Sequence, residues 1–197
     1  MKMIKRATAL YVVSLLVLGI GIAWAQERYP DRTAAEKLIA PIDSSIWLPD
    51  TFRVSPDRKR TAYVGQVDDK QFVIVDGIDG KFFDSIVKGS LIFSADSKRF
   101  AYVAREGNQQ IVVVDGAEGK PYEGIKTNPM FNPDSRKVVY VAQTGDKVCV
   151  VVDGKEGKLY DDILNAGIGK IIFNSADQIN YFARNGNSVV FVEEKIE

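Results

Sequence analysis

VVVDGAEGKPYEGI, residues Val112–Ile125, decides the fold, because the chain writes it three times. The phrase stands earlier as VIVDGIDGKFFDSI (Val73–Ile86) and later as VVVDGKEGKLYDDI (Val150–Ile163). A second phrase precedes each copy: SPDRKRTAYV from Ser55, SADSKRFAYV from Ser94 and NPDSRKVVYV from Asn132. A looser version, SADQINYFAR, begins at Ser175. The aligned residues Asp57, Asp96, Asp134 and Asp177 are 39, 38 and 43 residues apart, and Tyr63, Tyr102, Tyr140 and Tyr181 are 39, 38 and 41 apart. One supersecondary unit is therefore repeated along the chain.

A period near 40 residues with several short strands per unit is the pattern of an all-β propeller, here of about four four-stranded blades. In the second copy Ser90–Ser94 reads as the innermost strand and Ala95-Asp96-Ser97 as a turn. Lys98–Ala104 alternates polar and apolar residues, as a half-buried strand does. Gln110–Val114 ends in a β-branched run, which marks a strand covered on both faces. Asp115-Gly116 is a hairpin turn, because both residues tolerate positive φ, and Lys120–Ile125 is the expected outer strand. One face of each blade cannot be buried alone, so neighbours must stack. The blades run over about residues 51–86, 87–125, 126–163 and 164–197.

The phrases SPDRKRTAYV and NPDSRKVVYV resemble the WD-repeat-like blades of bacterial exported propellers of the TolB type. The resemblance covers about Thr51 to Val192. It implies a propeller and no catalytic residue, since the Ser-Pro-Asp turn marks the fold rather than a chemistry. The chain departs from that pattern in having about four units where TolB-type propellers have more.

The first 25 residues read as a cleavable signal peptide: Lys2, Lys5 and Arg6, then the apolar run Ala7–Ala23, then Ala23-Trp24-Ala25 as the small-x-small site. An uncleaved anchor is the rival reading. Cleavage after Ala25 implies a periplasmic or secreted protein with no membrane span left in the mature chain. The whole chain has 26 basic and 26 acidic residues. Losing the leader leaves 23 basic against 26 acidic residues, a net charge of −3, which offers no footprint for nucleic acid. With no His, neither a Ser–His–Asp triad nor a Cys–His nucleophile exists. Cys149 stands alone, so no intramolecular disulfide forms, and its place in Val148–Val152 is that of a small core residue.

Residues 26–50 form the least repetitive segment. Thr33-x-x-Glu36 is a capping box ahead of a short helix that Pro41 would stop. The fourth unit ends in EEKIE where VDG-x-x-GK should begin, so it lacks an outer strand. Leu38–Leu48 is available to supply one and close a single ring, which favours a monomer. An open series of blades, or two chains forming a larger ring, are the alternatives.

The turn pairs Asp76 with Asp79, Asp115 with Glu118 and Asp153 with Glu156 repeat with the blades, but their spacing does not fit a calcium loop. No cofactor or metal is expected. Asp84, Glu123 and Asp161, and Lys81, Lys120 and Lys158, read as charges that protect outer edges. The SPD and VDG turns share one face of the ring. The connections 66–70, 105–109, 143–147 and 184–187, and those between blades at 87–90, 126–130 and 164–170, vary and make the expected binding surface. Trp47, Arg105, Lys126 and Arg184 are its candidate contacts, since Trp and Arg dominate interface hot spots. The function expected is a non-enzymatic scaffold that binds another protein or an envelope component. A channel-centred Mg²⁺- or Ca²⁺-dependent hydrolase or lyase, and a strand-acceptor subunit of a larger complex, are the alternatives.

Overall fold

The structure, a computed structural model, describes residues 35–165, 167 and 169–196. The chain divides into two units at Glu36, and all the described strands belong to the second, Lys37–Glu197. The signal-peptide segment and Thr33 lie outside the described residues.

Each repeat folds as one antiparallel sheet. The first blade holds β1 (Arg53–Val54), β2 (Thr61–Val67), β3 (Lys70–Val75) and β4 (Ile78–Asp79), paired in that order. The second holds β5 (Ser85–Ile86), β6 (Ile92–Phe93), β7 (Phe100–Glu106), β8 (Gln109–Val114) and β9 (Ala117–Tyr122). There β5 and β6 both pair with β7, so together they make a broken inner strand. The third repeats this plan with β10 (Gly124–Ile125), β11 (Met130–Phe131), β12 (Val138–Thr144), β13 (Lys147–Val152) and β14 (Lys155–Glu156). The fourth contains β15 (Asp162–Leu164), β16 (Ile172–Ser175), β17 (Gln178–Asn185) and β18 (Ser188–Lys195), and among the described residues no outer strand pairs with β18.

Local chemistry fixes the turns. The Ser55 hydroxyl donates to Asp57 Oδ1 at 2.6 Å and accepts the Arg60 N–H at 3.0 Å, while Asp57 Oδ1 accepts the Lys59 N–H. Ser94 and Asp96 repeat this, and Asn132 accepts the Lys137 N–H in the third blade. The hairpin pairs Asp76-Gly77, Asp115-Gly116 and Asp153-Gly154 all take positive φ, from 46° to 85°, as the Asp-Gly reading requires. The three Asp side chains also cap their own sheets by accepting the N–H of Thr61, Phe100 and Val138.

Burial follows the stacking. One apolar cluster joins the first and second blades through Val64, Val73, Phe83, Tyr102 and Val113. A second joins the next pair through Val103, Val112, Tyr122, Tyr140 and Cys149, and a third joins the last pair through Val141, Val150, Tyr160 and Tyr181. The last three aligned tyrosines each meet an aromatic ring of the preceding repeat edge-on: Phe83–Tyr102, Tyr122–Tyr140 and Tyr160–Tyr181, with centroids 6.1–6.4 Å apart. Among the described residues no strand pairing and no core cluster joins the fourth blade to the first.

Several sequence expectations need correction. Residues 35–43 form neither helix nor strand, since a two-turn helix with one apolar face needs a surface to pack on. Leu38–Leu48 does not complete the fourth blade: Trp47 bridges Gly65, with Leu48 N–H donating to Val64 O and Gln66 N–H to Ile46 O. The segment is thus the first half of the first blade's own inner strand. The outer strand expected at Lys120–Ile125 is split, because β9 ends at Tyr122 and Gly124–Ile125 already pairs with the next blade. This crossing ties consecutive sheets together.

Candidate interaction site

The SPD and VDG turns do share one end of the blades. The Arg60 guanidinium reaches Asp76 Oδ2 at 2.8 Å in its own blade and the Lys98 carbonyl at 2.6 Å in the next. Arg99 does the same with Asp115 and the Arg136 carbonyl. Beside them the Asp57 N–H donates to Ser97 Oγ and the Asp96 N–H to Ser135 Oγ. The second acidic residue of two turns takes a Lys from the preceding blade: Lys81 Nζ is 2.9 Å from Glu118 and Lys120 Nζ is 2.6 Å from Glu156. These carboxylates link blades. Among the described residues no cluster of three Asp, Glu, Cys or His side chains is arranged to hold a metal ion.

The opposite end is more regular than its sequence implies. The hairpins there are two-residue turns whose first residues, Asp68, Gly107, Gly145 and Gly186, share φ values of 52–61°. Asp84 clamps this end of the first two blades, accepting from Lys70 Nζ at 2.5 Å and from the Gly107 N–H at 2.6 Å. Asp161 does the same for the last two, between Lys147 Nζ and the Gly186 N–H. The lysine hydrogen bond, then the glycine N–H, holds each carboxyl below the usual range. Edge protection was the expected role of Asp84 and Asp161, and clamping is what their geometry provides.

Irregularity lies midway along the inner edge. There the chain leaves the sheet between its two inner half-strands, at Pro49–Thr51 in the first blade and around Val87–Leu91 in the second. The Thr51, Ser90 and Thr127 hydroxyls fill the gap in three blades by accepting the N–H of Val64, Val103 and Val141. Between the first two such loops is a pocket of about 300 Å³, walled by Leu48, Val64, Ile86, Val87 and Leu91 with Arg53 and Gln71 among its polar groups. Asp50 and Lys88 pair across it at 3.3 Å. The Arg53 guanidinium donates to its neighbour's carbonyl, Phe52 O, at 2.8 Å, and no carboxylate lies within ion-pair distance of it among the described residues.

The four candidate contacts fall one to a blade, and no hydrogen bond, ion pair or ring contact joins any two of them. Trp47 is half-buried and edge-on to Phe52 and Tyr63 at 6.3 and 6.4 Å, a packing position. Arg105 closes β7 opposite Ser85, and Arg184 occupies the matching place in β17, its Nη1 3.7 Å from Asp161. Lys126 follows β10, its N–H donating to Val141 O. Sequence reasoning missed Arg53, which nothing in the repeat distinguishes. It also missed the role of Trp47, although Trp47, Ile86, Ile125 and Ile163 recur at 39, 39 and 38 residues.

Three further titratable groups are made inert by burial. Burial pushes the Cys149 thiol up to about 11 and the Tyr102 and Tyr140 phenols to about 12, so all three are neutral packing groups at physiological pH.

No family model matches this chain, and no curated protein sequence matches it. Several solved structures are similar to it. One is the β-propeller domain of the Trilobed protease from Pyrococcus furiosus, described as having an open velcro topology. It is 16% identical over 75% of this chain and 56% of that one, with a TM-score of 0.47. TolB from Acinetobacter baumannii is 17% identical over 74% of this chain and 40% of that one, with a TM-score of 0.42. The acylaminoacyl peptidase of Pyrococcus horikoshii is 14% identical over 76% and 33%, with a TM-score of 0.42. The chain spans roughly half or less of the length of each of these proteins. The propeller architecture here rests on the strand order of this chain itself.

Proposed function

We propose that this protein is a non-enzymatic, exported propeller that acts in the periplasm as a scaffold for another protein or an envelope component. The observation that carries the reading is the use made of its charged side chains. Arg60, Arg99, Asp84, Asp161, Glu118 and Glu156 each link neighbouring blades. A rigid series of sheets that differs mainly in its inner loops is suited to presenting a surface.

The binding surface in this reading is the inner-edge pocket, with Arg105, Lys126 and Arg184 as outlying contacts. Arg53 supplies a guanidinium for an acidic group of the partner above an apolar wall, the anchor-and-pocket arrangement of interface hot spots. The test is affinity capture from solubilised envelope by the wild-type chain and by Arg53→Glu and Leu48→Asp variants. A stoichiometric partner held by wild type and lost from both variants is the expected result. Equal retention by both variants would place the binding surface elsewhere.

A further inference from the structure

The fourth blade carries an apolar face that no described residue covers. Phe182 of β17 stands directly opposite Phe191 of β18, with ring centroids 5.1 Å apart, and Leu164 of β15 stands opposite Phe182 on its other side. The matching positions in the other blades are Val64, Val103 and Val141 for Phe182, and Val73, Val112 and Val150 for Phe191. None of those valines is more than 4% exposed, because the next blade lies on each. Phe182, Phe191 and Val189 are 38%, 53% and 64% exposed. No described sheet lies on this face, and larger aromatics stand where the next blade lies in the other three.

A first blade, from this chain or from another copy, fits that face poorly. Its own outward face is already sealed: Tyr63, Phe72 and Ile74 pack under Ile46, Trp47 and Phe52. It has Arg58 where Ser97 and Ser135 accept the preceding blade's N–H, and Ser45 precedes it where Asp84 and Asp161 clamp the other junctions. Strand addition along β18 is opposed by Glu193, Glu194 and Lys195 on that edge.

We propose that this face docks against the same face of a second copy, through a two-fold axis that runs across the strands at the Phe182–Phe191 row. Such a contact is self-complementary, with the two aromatic pairs meeting at the centre. Arg184 lies one row to one side of the phenylalanines and Glu193 one row to the other. The axis brings each copy's Arg184 over the other's Glu193 row, so the charges complement each other. Arg184 is held only loosely, 3.7 Å from Asp161, and Glu193 has no ion pair among the described residues.

Light scattering on size-exclusion fractions of the full chain, over a dilution series, measures the association. Wild type is expected to pass from monomer to dimer with concentration. Phe191→Asp should stay monomeric with an unchanged far-UV circular dichroism spectrum, since this residue is exposed in the monomer. Arg184→Glu and Glu193→Arg should each weaken the dimer about tenfold or more, and combining them should restore it. A wild-type chain that stays monomeric, or a dimer indifferent to Phe191→Asp, would overturn the proposal. So would a double charge swap that fails to restore association, which also decides the matter if Phe191→Asp misfolds.

Discussion

The two end blades differ in how they treat a face that has no neighbour. In the first blade, Tyr63, Phe72 and Ile74 are 3%, 1% and 2% exposed although no blade precedes them among the described residues. The chain has laid Ile46, Trp47 and Phe52 over them, and Phe82 folds back onto Phe72 with ring centroids 4.2 Å apart. In the fourth blade no further strand pairs with β18 among the described residues, and two phenylalanines remain exposed. A repeat array must cap both ends or leave one open to a partner, because no single blade buries both of its faces. This chain caps one end with its own residues, and the other end is sticky.

Truncating the same side chain at both ends tests that contrast most severely. Phe72→Ala should cost about 3–5 kcal/mol, the range for emptying a fully packed aromatic site. Phe191→Ala, measured at high dilution, should change stability by less than about 0.5 kcal/mol. Urea unfolding followed by circular dichroism reads both. Similar costs at the two sites would mean that the fourth-blade face is covered in the monomer.

A smaller effect is expected at Gly65. Ala104, Ala142 and Ala183 occupy this position in the other blades, so the repeat alone recommends alanine. In the first blade a Cβ would sit 2.8 Å from Ile74 Cδ1 and 3.0 Å from Phe72 Cζ. The glycine accommodates the large side chains of a face closed by Trp47 rather than by a blade. Gly65→Ala, a change towards the repeat consensus, should therefore destabilise by about 1–3 kcal/mol through overpacking. A neutral or stabilising result by the same unfolding assay would show that the cap yields.

Gly65 also marks where the sequence stopped being legible. The blades could be read from period, alternation and Asp-Gly turns because those signals are local and act within a few residues of the structure they specify. Closure is a tertiary decision. Leu38–Leu48 looked free to fill the empty place beside β18, and the competing site beside Gly65 was hidden because the repeat's inner strand is split between two sequence units. The loop surface was hard to place for a related reason. The hairpins at Asp68, Gly107, Gly145 and Gly186 are all two-residue turns with a positive φ at the first residue, so sequence variation there did not mean a different turn length. Arg53 was beyond reach, because a pocket between two blades has no signature along one of them.

The smallest effect concerns how firmly the open end is held. The junction between the last two blades has Lys137, reaching the Ile196 carbonyl, and Asn132, donating to the Ala176 carbonyl. The earlier junctions have Arg60 and Arg99, each bridging two groups, beside a Ser hydroxyl and an outer Lys–Glu pair. More of its polar attachment therefore rests on Asp161, whose side chain is 18% exposed against 41% for Asp84. Hydrogen bonds from Lys147 and Gly186 depress the Asp161 carboxyl, so its contribution is complete above the unfolded value of about 3.9 and vanishes as pH falls through the lower folded value. Asp161→Asn should speed amide exchange in β15–β18 near neutral pH, more than Asp84→Asn does in the first two blades. The excess over wild type should shrink below about pH 4, where the carboxyl of the opened state begins to protonate and the closed state loses its advantage. Equal effects of the two substitutions would show that both end blades are held alike at this edge, and the asymmetry would then lie in the covered and bare faces alone.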